Sequence, residues 1–441
     1  MNRIEELSQS SSLGATGLSP ATMALMAILA VAQVATDNSF AFFSASMIFL
    51  VVYSFAGNAV VPLFVIGLNI MDDLTVIPST PMPRLVAVLL ALLAVSTIRA
   101  VATKRPILVD LPLGALSALL VSYYFLAPPD SNAGVAAAFG MIILPITVFV
   151  VRWYLSTFLT DPRPLILAFI IGSSIAIGRG VWQAYTSVGA DYDEYISNRI
   201  FESSIGSSNK AAAMAVVVGI MIFSQAWYAR LNHRIFWLLL SAPFLAAPVV
   251  FASRGPLVSL LVTAAFAIVF GKFAIAKKVA AVSIALVGTL LLLSSSLAQE
   301  IPVISRLFSG GGAEEFSSGR TIIWSYVASR FTDQPILGHG PGAIAGELLA
   351  QGMTGYPHQF FLGLLASLGL CGSIFYIWAL FRQLSGGWGR LTPVLVYLIL
   401  VSMLEPVIST PGGAPLAGVL LALYGISRGF RNEYRDGDCV S

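Results

Sequence analysis

Four basic side chains stand where apolar runs begin or end. Arg199 precedes IFESSIGSSNKAAA, Arg254 lies in SRGPLVSLL, Arg320 in SSGRTIIW and His358 in YPHQFFLGLL. A guanidinium offers phosphate oxygens a planar, two-pronged set of donors and stays charged when partly buried. Several arginines at one membrane boundary therefore suit an anionic lipid head group, such as a diphosphate. Structural readings stand beside this one. An arginine at a helix end can snorkel to lipid phosphates, and Arg320 reads equally as a solvated loop residue. His358, after Pro357, reads as a polar helix cap. His339, in GHG, reads as a loop residue shaped by its glycines. Glu405, in SMLEPV, is a carboxylate inside an apolar run, which flags function. Its place near a helix end suits a structural salt bridge equally. Asn209 and Lys210 stand at the start of a further helix.

The elements that carry these residues are membrane elements. The chain has 441 residues, 57% hydrophobic and 10% charged, with a mean hydropathy of +0.86. Soluble domains carry roughly 25% charged residues. Apolar runs fall near 20–35, 40–55, 58–70, 84–99, 107–127, 133–151, 164–185, 210–228, 235–252, 256–271, 278–297, 358–381, 391–408 and 413–428. Runs of about 20 apolar residues cross a bilayer as helices. The expected fold is all-α: a polytopic transmembrane helical bundle of about 12–14 helices with one structured periplasmic loop. The expected division is an N-terminal cytoplasmic tail at 1–19, helices over 20–298, a periplasmic loop over 299–357, helices over 358–428 and a cytoplasmic tail at 429–441. The first 19 residues lack a signal-peptide core, so the first run is expected to stay as a helix. Basic residues cluster between runs as cytoplasmic loops do, so the net charge of +3 does not point to nucleic acid. Cys371 and Cys439 are too few and too far apart to frame a metal site or disulfide network.

Lysines and arginines set the orientation. Arg99, Lys104 and Arg105 flank one junction, Arg152 and Arg163 another, Arg382 and Arg390 a third. Every second junction is basic and therefore cytoplasmic, with both termini. The junctions at 36–39, 71–83 and 128–132, nearly free of Lys and Arg, face outward, and parity carries 186–209 and 299–357 with them. Within the last loop, Ile322, Ile323, Tyr326, Val327 and Phe331 recur at helical spacing. Gly338, Gly340, Pro341 and Gly342 then form an irregular turn. Asp191, Asp193 and Glu194 form the one outward acidic cluster, read as a solvated loop, so no metal site is expected.

SSIGSSNKAAA, SRGPLVSLL, GRTIIWSYVASRFTDQPILGHGPG and HQFFLGLLASLGLCGSIFY occur in that order. This pattern resembles the bacterial O-antigen ligase and O-antigen polymerase superfamily, polytopic glycosyltransferases of the GT-C kind. The family usually has Asn after the histidine; here it is Gln359. The resemblance implies a membrane glycosyltransferase in the bacterial inner membrane that works at its periplasmic face. Its donor would be an undecaprenyl-diphosphate-linked glycan. Its acceptor would be a sugar hydroxyl, on another lipid-linked repeat unit for an O-antigen or exopolysaccharide polymerase, or on the lipid A core for a ligase. It implies that Arg254 and Arg320 hold the donor diphosphate, joined by Arg199, and that His358 is catalytic on the acceptor hydroxyl. His339, Asn209, Gln359 and Glu405 are further candidates. Fixed arginines can stabilise a leaving diphosphate, and imidazole can accept the acceptor's proton. No cofactor and no metal are implied, and the partners are the two glycans and membrane lipids. A polysaccharide or lipid transporter is the alternative of another class. It would show repeated halves and ionisable groups at mid-membrane, whereas here the polar groups gather at one face.

Overall fold

The helices that start at Asn132, Ser208, Arg254 and Phe360 all begin at the same end of a helical bundle, and that arrangement positions everything below. The computed structural model describes residues 19–35, 39–70, 75–77, 80–103, 110–158, 162–187, 208–228, 231–271, 278, 320–353, 357–384, 391–405, 407–410 and 413–437. Arg199, the acidic cluster at 191–194 and most of the expected span 278–297 lie outside the described residues.

Among the described residues the helices are α1 (Pro20–Ala35), α2 (Ser39–Phe55), α3 (Val60–Leu68), α4 (Arg84–Thr103), α5 (Leu111–Leu126), α6 (Asn132–Ser156), α7 (Pro162–Ser187) and α8 (Ser208–Tyr228). They continue as α9 (Leu231–Val250), α10 (Arg254–Phe270), α11 (Arg320–Asp333), α12 (Ala343–Ala350), α13 (Phe360–Phe381), α14 (Thr392–Ser402) and α15 (Gly413–Gly437). One short antiparallel hairpin, β1 (Thr75–Ile77) and β2 (Thr80–Pro83), interrupts this all-α fold. The stretches 86–103, 132–156, 163–182, 209–226, 233–250 and 360–384 are long and apolar enough to cross a membrane.

Local chemistry sets the ends. Asp110 caps α5 by accepting from Leu113 N, and Ser131 caps α6 by accepting from Gly134 N at 3.0 Å. The expected run 58–70 is a separate nine-residue helix, α3, with every residue buried. At 1.5 Å per residue it is too short to span. It lies against α7, where a side chain at Gly172 or Gly67 would overlap the facing backbone. Small residues allow that close approach.

The expected run 391–408 also breaks. α14 ends at Ser402, and a 3₁₀ turn follows at Val407–Ser409. Pro406 explains this, because a proline disfavours helix at the residue before it and has no N–H to donate. Glu405 therefore sits in a break and not on a helix face.

A third break lies inside α13, at Gly369 (φ 63°). Broken helices leave backbone groups that must find partners in an apolar surrounding. Here the loop after α11 supplies them. His339 N donates to Ala366 O at 3.0 Å and Gly340 N to Ser367 O at 2.9 Å, while Leu370 N donates to Pro335 O at 2.8 Å. A Cβ at Gly338 would overlap the backbone of Ser367 and Gly369. The segments PILGHG and LGLCG are thus two strips of main chain that need each other. Tyr123 OH, at the end of α5, adds a bond to Gly338 O at 3.2 Å.

The far end of the bundle is closed separately. Arg152 of α6 and Gln383 after α13 both bond Asp110, at 2.9 and 3.0 Å. Arg99 lies 4.4 Å over the Phe158 ring.

The loop splint can be tested with two glycines of positive φ. Gly352→Ala meets open space and should carry only left-handed strain, about 1–2 kcal/mol. Gly338→Ala adds backbone overlap and should lower the thermal unfolding midpoint clearly more. Equal midpoints would show that the splint contributes nothing.

Candidate functional site

Glu405 is the hub of the polar end. Among the described residues it is the one charged side chain that is fully buried, 3% exposed. Its Oε1 accepts from Asn209 Nδ2 at 2.9 Å, at the start of α8. The same oxygen takes the Nη2 of Arg320, the first residue of α11, in an ion pair. Oε2 lies 3.8 Å from His358 Nδ1. The fourth approach is by backbone: a Cβ at Gly255 would stand 3.2 Å from Oε1. Arg254, half-buried, is the residue just before it at the start of α10. Four helix starts and one helix break thus meet at one carboxylate.

The backbone is held in unusual conformations here. Among the described residues the non-glycine residues with positive φ are Ala252 (48°) and His358 (50°). Ala252 stands two residues before Arg254 and His358 is itself a residue expected to do chemistry, and such conformations persist only where surrounding structure enforces them.

The sequence candidates divide on these observations. Arg320, His358, Asn209 and Glu405 come together, with Arg254 on the adjoining turn. Gln359 caps α13, its side chain accepting from Leu362 N. His339 is tied elsewhere, its Nε2 bonded to Arg330 O at 2.8 Å. Gly255 is a site residue that motif reading leaves unremarked, because its contribution is the absence of a side chain. Its signal is the tight SRGP turn between two apolar runs.

Beside the hub lies a second network. Arg330 donates Nε and Nη2 to Glu347 at 2.7 and 2.8 Å, and Tyr326 OH donates to Glu347 at 3.0 Å. The Arg330 hydrogen bonds outweigh burial and hold the Glu347 carboxyl below its ordinary value. Ile323 and Val327 of α11 pack with Ile344, Leu348 and Ala366, so this small core and its ion pair fix the loop on α13. Among the described residues no group of three His, Cys, Asp or Glu side chains is placed to hold a metal ion.

Residues 239–377 match the O-antigen ligase family model, Wzy_C. That segment, under a third of the chain, is similar to the O-antigen ligases. The matched segment runs from α9 into α13 and so contains Arg254, Arg320, His339 and His358. Asn209 and Glu405 lie outside it. No curated protein matches the chain significantly.

The Glu347 network carries a pH dependence. A carboxyl held low in the folded state stabilises fully above its ordinary pKa, about 4.3. That contribution is lost as pH falls through the lower folded value. Protection of the amides of residues 320–353, taken relative to the intrinsic exchange rate at each pH, should therefore fall in acid. Glu347→Gln should exchange fast already at neutral pH and show little further acid response. An acid response unchanged in Glu347→Gln would place its origin elsewhere.

Proposed function

We propose that the protein transfers a glycan from an undecaprenyl diphosphate carrier to an acceptor sugar hydroxyl at the periplasmic face of the bacterial inner membrane. The observation that carries this reading is the meeting of Arg320, His358, Asn209 and the Arg254–Gly255 turn around buried Glu405. These are ionisable and hydrogen-bonding groups gathered at one end of a membrane bundle, with guanidinium donors of the kind that suit a diphosphate.

The chemistry follows from the residue types. Arg254 and Arg320 hold the diphosphate. A guanidinium has five N–H donors, so Arg320 keeps donors for phosphate while it is bonded to Glu405. The acceptor oxygen attacks the anomeric carbon of the donor glycan. The bond from that carbon to the diphosphate oxygen breaks, and undecaprenyl diphosphate leaves with the electron pair. The arginines stabilise the charge that develops on it. His358 accepts the acceptor's proton and passes it to water. Arg199 adds to the phosphate site. Charge compensation by arginine makes the reaction metal-independent. The acceptor is a second lipid-linked repeat unit, which makes the protein a polymerase of O-antigen or exopolysaccharide.

Complementing a deletion strain tests the residues and the acceptor together. Single repeats capping the surface in the deletion strain fit a lost polymerase; unattached long chains would identify a ligase. At matched protein level, Arg254→Ala and Arg320→Ala should each lose on the order of 10²–10³ in polymer formation. Arg320→Lys should rescue poorly, because a point charge does not reproduce two-pronged contact. His358→Ala should lose polymer yet keep binding of undecaprenyl diphosphate. Wild-type polymer from any of these three alanine variants removes that residue from the reaction. Transfer in isolated membranes should persist in excess chelator. Loss that magnesium or manganese restores would return Asp191 and Asp193 as ligand candidates.

A further inference from the structure

We propose that Glu405 is a positioning residue that joins the two halves of the site, one carboxylate oxygen holding Arg320 and the other orienting the His358 imidazole. The proposal rests on the reading of His358 as the group that takes the acceptor's proton, and it adds a residue outside the segment matched by the family model.

The oxygens are divided. Oε1 takes both Arg320 and Asn209, and Oε2 faces His358 Nδ1 at 3.8 Å. That separation is too long for a hydrogen bond. Catalytic hydrogen bonds are often long in unliganded proteins and tighten in the substrate complex. A shift of about 1 Å closes this one. With Nδ1–H donating to Oε2, the ring's proton-accepting nitrogen is Nε2, on the opposite side of the imidazole. An acid partner that fixes the tautomer is how carboxylates support histidine bases and histidine ligands elsewhere.

Three further observations fit this role. The carboxylate is 3% exposed, so water does not compete for Oε2. His358 is held at φ 50°, a conformation a simple polar cap does not need. Gly255 leaves the carboxylate its place, since a Cβ there would stand 3.2 Å from Oε1. A structural ion pair needs Oε1 alone. The placing of Oε2 toward the imidazole is what separates positioning from anchoring.

The chain has three histidines, which makes the test direct. Side-chain ¹⁵N spectra of the full-length protein in nanodiscs report each tautomer, and His358→Ala identifies the His358 signal. With undecaprenyl diphosphate bound, His358 should carry its proton on Nδ1, and Glu405→Gln should reverse or mix that assignment. Glu405→Gln keeps a carbonyl for Arg320 and Asn209. Its binding of undecaprenyl diphosphate should therefore stay within about 3-fold of wild type, while polymer formation falls on the order of 10-fold to 10²-fold. The double variant Glu405→Gln/His358→Ala should be no worse than His358→Ala, because the two act as one unit. A wild-type His358 protonated on Nε2 overturns the proposal, and this readout does not depend on the variant folding. Wild-type polymer from Glu405→Gln, with His358→Ala inactive, overturns the positioning role and leaves the glycosyl-transfer reading intact. Wild-type polymer from His358→Ala overturns that reading instead.

Discussion

The ion pair between Arg320 and Glu405 is the contact on which the polar end depends. An unmatched carboxylate in an apolar interior is costly, and removing one partner of a buried pair typically destabilises by about 3–5 kcal/mol. Glu405 is 3% exposed, so its charge must be met by protein groups. Arg320 and Asn209 meet it from segments 85 and 196 positions away. The start of α11, the start of α8 and the break after α14 are therefore drawn to one point. The same contact limits where the Arg320 guanidinium can reach. A flexible arginine would lose side-chain freedom on binding; one already held loses less.

A second constraint keeps the histidine in register with that pair. His358 precedes α13, and α13 is broken nine residues into its course at Gly369. The loop carrying His339 fills the break with its own main chain. The segment from α11 to α12 is thus fixed at one end by Arg320 and along its length by α13. The Arg330–Glu347 ion pair and the small core around Val327 keep α11 and α12 together above this seam. Positive charge and imidazole are thus set by one connected piece of chain.

The two ends of the bundle differ in how they use charge. At the far end Asp110, Arg152 and Gln383 bond one another and tie α5, α6 and α13 together. Each group there has a partner on a neighbouring helix, a pattern that serves packing. At the other end one carboxylate serves several groups, and the backbone beside it adopts positive φ at Ala252 and His358. Such conformations persist only where the surrounding structure enforces them.

Hydropathy alone determined that this is a helical membrane protein, because a span needs a continuous apolar run and its length is written locally. The 3.6-residue period of Ile323, Val327 and their neighbours likewise placed α11, and the types of Arg254, Arg320 and His358 pointed to phosphate and proton chemistry. Tertiary structure decided what those residues do to one another. That Glu405 is the hub, that His339 splints α13 and that Gln359 caps it depend on partners far away in sequence or on backbone geometry that periodicity does not carry. The breaks at Ser402 and Gly369 fell inside runs of uniform hydropathy. A proline or glycine there marks only a place where a helix can end. Whether it ends is settled by whether distant main chain and side chains satisfy the groups the break exposes, and those groups meet only once the chain has folded.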